Sequence, residues 1–295
     1  MPFHRPGKRL SGPALVLSGG ASLGAVQAGL LCTFLRSGFQ PSVIVGTSVG
    51  ALNGAFLAFY PGAAGGDKLV EIWASLCGAR IFDFNPLGIA YRLATKRQCL
   101  FSSRFLEKLA AEHLPVDDFA QTKVPLYITA TNLSRGCKVV FHQGPISRAI
   151  LASTAIPGIF CPVEIDGDEY VDGGVMAHLD LETAVELGAQ HILAIDLSRC
   201  SDQARPTSPV AVLVRSLDLM MRDHVDRDVE GLSPRARITL IRPEIGSDVG
   251  IADLSQVDKL LEQGEAMGQE LLSSCTDARG RLRPGIFSRS IPSLP

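Results

Sequence analysis

Charge is scarce in this 295-residue chain and favours neither sign: 28 Lys+Arg against 30 Asp+Glu give a net charge of −2, with 20% charged residues in all. No global field therefore draws the chain to nucleic acid. With 46% hydrophobic residues, so little charge also excludes a disordered chain and a coiled coil. Long apolar runs are missing too, and nothing approaches the roughly 20 residues of a membrane span. The basic N-terminal stretch meets only the short run Ala14 to Leu17, too short for a signal-peptide core, before a glycine loop begins. The expected location is the cytoplasm, with peripheral contact at a membrane surface left open. The seven cysteines include no C-x-x-C pair, and no histidine stands at zinc-ligand spacing, so free thiols and no metal are expected.

What the chain does have is alternating period. Residues 14–17 and 42–45 are short, nearly all-apolar runs, each followed by a helical stretch at 25–36 and 49–59. Strand, helix, strand, helix implies right-handed crossovers and parallel pairing, with helices on both faces of the sheet. The fold class that follows is α/β, a three-layer α/β/α sandwich with a mostly parallel central sheet. Residues 61–66 read as a flexible break, with Asp67 capping the next helix. Basic and apolar residues interleave over 80–114, among them Arg92, Lys96 and Arg97, and read as a small helical cap that could rest on anionic lipid. Asp166-Gly167 reads as a hairpin turn. The organisation expected is an extension at 1–13, one domain at 14–275 and a loose tail at 276–295.

Three segments carry chemistry. Gly46-Thr47-Ser48-Val49-Gly50 fits G-x-S-x-G at a strand-to-helix junction, where flanking glycines Gly46 and Gly50 permit a sharp turn and Ser48 protrudes at a helix N-terminus. Gly19, Gly20 and Ala21 follow the first strand and open the first helix, exposing backbone N–H groups to an anion. A P-loop would need Lys and Ser or Thr after Gly24, and a dinucleotide fingerprint would need glycine at Ala21 and a later acid; neither is present. An oxyanion formed in acyl transfer remains, because adjacent parallel strands bring this loop beside Ser48. The base for Ser48 is open between histidines, of which His178, His191 and His224 could serve, and Asp172, which ends an apolar strand and precedes Gly173 and Gly174.

Together these segments resemble the patatin-like phospholipase family. Gly19 to Gly24 is similar to its oxyanion loop, Gly46 to Gly50 to its nucleophile elbow, and Asp172-Gly173-Gly174 to its Asp-Gly-Gly/Ala motif; Ala152 to Pro157 is also similar to a family stretch. The resemblance implies a lipid acyl hydrolase with a Ser48–Asp172 dyad, an oxyanion hole of Gly19, Gly20 and Ala21, an acyl-ester substrate and no cofactor. The family loop usually carries a third glycine and a basic residue where this chain has Ala21 and Leu23. The backbone donor survives the alanine if its φ is negative, whereas the missing cation removes a phosphate contact. A nucleotide-binding Rossmann-like module and a catalytically silent lipid-binding protein stand as alternatives.

Overall fold

The computed structural model describes residues 10–79, 99–198, 209–245 and 253–275. The elements in chain order are β1 (Ala14–Leu17), α1 (Gly24–Arg36), β2 (Val43–Thr47), α2 (Val49–Phe59), α3 (Ala63–Ser75), β3 (Cys99–Phe101), α4 (Arg104–His113), β4 (Leu126–Asn132), β5 (Cys137–Phe141), α5 (Ile146–Ser153), β6 (Gly158–Phe160), β7 (Val163–Ile165), β8 (Asp168–Asp172), α6 (Leu181–Glu186), β9 (His191–Ile195), α7 (Pro209–Leu232), β10 (Arg237–Ile241) and α8 (Val257–Cys275).

The main sheet runs β10-β9-β1-β2-β4-β8-β7, with β5 also on β4. Pairing is parallel from β10 through β4 and antiparallel for β5, β8 and β7. Alternate side chains of the short apolar strands point to opposite faces. Leu15, Leu17 and Ile44 pack with α1, α2, α3 and α8, while Ala14, Val16, Val43 and Val45 pack with α6 and α7. This is the three-layer α/β/α arrangement expected.

Three expectations change. Residues 63–66 belong to α3 instead of a break, and Asp67 caps nothing but meets Arg36 at 2.7 Å. Helix packing overrides glycine's poor propensity here: a Cβ on Gly66 would lie 2.8 Å from the Cα of Cys32 on α1, so glycine lets the two helices close. Cys99 and Cys161 form a disulfide that ties β3 to the end of β6, so the free-thiol expectation fails for this pair. Cys32, Cys77 and Cys137 are free. Of the segment read as a cap, residues 99–114 hold β3 and α4, whereas 80–98, with Arg92, Lys96 and Arg97, lies outside the described residues. The Asp166-Gly167 turn forms as read, with φ 52° and 83°.

Candidate active site

The register of β4 explains how residues far apart in sequence meet. Thr129 pairs with Thr47 of β2, and the next residue, Ala130, pairs with Asp172 of β8. Because β5 occupies the other side of β4 over Ile128 to Asn132, β2 and β8 share one side, arriving from opposite directions. Their ends abut, and Ser48 Oγ donates to Asp172 Oδ2 at 2.7 Å.

Ser48 sits at φ 54° and ψ −123°, a conformation that costs a non-glycine residue on the order of 1–3 kcal/mol. The surroundings enforce it. A Cβ on Gly46 would lie 2.5 Å from the Gly50 carbonyl oxygen, and one on Gly50 would lie 2.4 Å from the Leu17 carbonyl oxygen, so α2 can turn back against β1 and β2 only with both glycines. Gly173 plays the same part opposite, where a Cβ would come within 2.3 Å of the Thr129 carbonyl oxygen. Gly174 N–H donates to Asp172 Oδ1 at 2.7 Å.

Asp172 is buried, and among the described residues no cation bonds to it. Burial pushes its carboxyl up to about 6, against the opposing pull of the hydrogen bonds from Ser48 and Gly174. A carboxylate tuned to that range accepts a proton far more readily than one at the ordinary 3.8.

The glycine loop lies beside the serine. A Cβ on Gly19 would stand 3.1 Å from Ser48 Cβ, and one on Gly20 would stand 2.7 Å from Leu197 Cδ1. The Gly19 N–H turns to the His178 carbonyl at 3.4 Å, whereas the Gly20 and Ala21 N–H groups have no acceptor among the described residues. Ala21 takes φ 49°, so the negative φ expected of it does not hold, yet its N–H is left without an acceptor among the described residues and the donor survives. The left-handed region costs an alanine about 1–2 kcal/mol where glycine would fit freely. Leu23 is 2% exposed and packed in the core, so its side chain does not reach the site that a cation would serve.

The histidines separate from the serine. His191 and His224 are exposed on the surface. His178 is buried beneath the two glycine loops, yet it makes no hydrogen bond to Ser48; its Nε2 lies 3.6 Å from Asp196 Oδ1. Burial lowers its pKa, although Asp196 and Asp218 pull the other way and Arg242 adds to the lowering.

An apolar pocket of about 80 Å³ opens at Ser48, with Ala21, Val49, Trp73, Phe105, Ile156 and Phe160 in its wall. Among the described residues no group of His, Cys, Asp and Glu is arranged to hold a metal, and no helix is long and apolar enough to cross a membrane.

Residues 15–185 match the family model Patatin-like phospholipase, more than half of the chain. The chain belongs to the patatin-like phospholipase family. Relatives of this patatin-like chain include a lysophospholipase of Aspergillus terreus, 28% identical over 202 residues that cover 68% of this chain and 13% of the relative. An uncharacterized NTE family protein of Mycobacterium bovis is 30% identical over 187 residues, 63% of this chain and 49% of its own length. The chain thus spans under half the length of these relatives. Among solved structures, VipD from Legionella pneumophila superposes with a TM-score of 0.49 at 14% identity, covering 90% of this chain and 67% of VipD.

Sequence reasoning paired Ser48 with Asp172 only through resemblance, and it did not find Ser153. Ser153 Oγ accepts the Ser48 N–H at 2.8 Å and donates to the Thr129 carbonyl at 2.6 Å. The signal was the Ala152 to Pro157 stretch, whose period says nothing of a buried hydroxyl.

Proposed function

We propose that this chain is a serine acyl hydrolase acting on lipid esters, with Ser48 as nucleophile and Asp172 as general base. The observation that carries the reading is the 2.7 Å hydrogen bond from Ser48 Oγ to a buried, upshifted carboxylate, at the mouth of an apolar pocket. Ser48 attacks the ester carbonyl while Asp172 takes its proton. Asp172 then delivers that proton to the leaving alcohol, and a water activated by the same carboxylate releases the acyl group. The free N–H groups of Gly20 and Ala21 stabilise the tetrahedral oxyanion, each donor being worth on the order of 10²–10³ in rate. The Gly19 N–H, already turned to His178, contributes to loop shape instead.

The pocket supports an acyl chain as the part of the substrate held within the protein, since its named wall is almost wholly apolar. The lysophospholipase among the relatives points to lysophospholipids as one substrate to try. A fluorophosphonate probe tests the reading directly: covalent labelling of Ser48 in the folded protein, abolished in Ser48→Ala, is the expected result. A folded wild type that never labels and hydrolyses neither a nitrophenyl ester nor a lysophospholipid favours the silent lipid-binding alternative.

A further inference from the structure

Ser153 is the last residue of α5 and is 0% exposed. Its hydroxyl bridges the Ser48 N–H at 2.8 Å and the Thr129 carbonyl at 2.6 Å, joining the nucleophile's own backbone to the strand that aligns β2 and β8. Two residues later, the Ala155 carbonyl accepts the Asp172 N–H at 2.9 Å, and from β4 Thr131 Oγ1 donates to the Asp172 carbonyl at 3.0 Å. One short segment therefore holds the backbone of both the serine and the aspartate. Its intervening and following residues, Thr154 and Ile156, line the pocket.

From this geometry we propose that Ser153 is a positioning residue for the nucleophile, and that residues 153–155 act as a clamp setting the Ser48 to Asp172 separation. The inference rests on the hydrolase reading. Ser48 occupies a strained conformation, and its N–H is buried, so both relax toward any arrangement that gives the N–H another acceptor. Without the Ser153 oxygen the Ser48 backbone moves, and Oγ drifts from Asp172 Oδ2. A displacement near 1 Å in a reacting group can cost about 100-fold in rate. Ser153 touches no reacting atom, so the loss should fall on kcat and leave KM alone. A purely structural hydroxyl would instead lower stability while leaving kcat per folded molecule unchanged.

The experiment compares wild type, Ser153→Ala and Ser153→Cys for nitrophenyl ester kinetics, fluorophosphonate labelling rate and thermal unfolding. Cysteine nearly preserves the shape while offering a much weaker acceptor. The expected results are a fall in kcat of about 10- to 100-fold for Ser153→Ala and about 10-fold for Ser153→Cys. KM should stay within about twofold and labelling should slow in parallel. Should Ser153→Ala fail to fold, the cysteine variant carries the test. A folded Ser153→Cys with wild-type kcat and labelling rate overturns the clamp, as does a loss that falls on KM. Failure of the hydrolase reading looks different, because then the wild type itself does not label.

Discussion

Asp172 and Asp196 lie one register level apart at the edge where the parallel strands end, both with under 10% of their surface exposed, yet their environments are opposites. Asp196, just after β9, meets the Arg242 Nε at 2.7 Å and accepts the Ser198 N–H and hydroxyl, with the His178 imidazole nearby. Its charge is matched by a cation and several donors. Among the described residues Asp172 receives one hydroxyl and one backbone N–H, and no cation bonds to it. A buried charge with a matched cation holds elements together, whereas one left with few donors is displaced toward its neutral form. The chain thus carries, at one edge of the sheet, a cation-paired carboxylate and the carboxylate proposed as the base. What separates them among the described residues is the Arg242 partner of Asp196, not depth.

The largest break in that contrast comes from the chemical side. Ser48→Ala and Asp172→Asn should each lower kcat/KM by about 10³-fold or more in an ester assay, and the double variant should be scarcely worse than either, because the two groups act as one unit. Additive losses would show that they work separately. On the structural side, Asp196→Ala leaves the largely buried Arg242 with Asp226 alone and should cost about 3 kcal/mol in urea unfolding. An unchanged unfolding midpoint would erase the distinction between the sites.

A subtler test uses pH. The folded-state pKa of Asp172 is raised from the usual 3.8 to about 6, so ionising it costs native stability above pH 6, and the cost disappears as pH falls toward 4. Asp172→Asn removes the charge but loses one acceptor contact. Its stability relative to wild type should therefore rise between pH 4 and 6 by up to about 3 kcal/mol and stay level above, as pH-dependent unfolding would show. On the proposed mechanism the ionised form is the base, so kcat/KM of the wild type should climb with pH through about 6 and level off above it. A profile flat across that range would remove Asp172 from the role. The smallest effects belong to His191→Ala and His224→Ala, both exposed, which should keep activity within about twofold. A large loss in either would return a histidine to the mechanism.

The parallel half of the sheet and the glycine segments were legible because each rests on local rules. Short apolar runs between helical stretches, Gly46 before Ser48, and the Asp166-Gly167 turn all express constraints within a few neighbouring residues, and Gly50, which answers to Leu17 on β1, was legible through the G-x-S-x-G pattern. Helix α3 differs from the reading at residues 63–66 because Gly66 answers to Cys32 of α1, a contact no local window contains. The Cys99–Cys161 pair spans 62 residues and was invisible for the same reason. Leu23 could be seen to replace a cation, but not to point into the core.

By itself the sequence determined which residue types stand at the ends of strands: a serine between glycines, an aspartate before two glycines, and a glycine loop opening a helix. Only the tertiary structure decided what they do to one another. Asp172 is 124 residues from Ser48, and β4 aligns them by pairing Thr129 with β2 and Ala130 with β8. The proton affinity of Asp172, the φ of Ala21 and the anchoring of Ser48 by Ser153 follow from that convergence. Burial and hydrogen bonding depend on neighbours brought from elsewhere in the chain, and residue spacing along one segment carries no record of them.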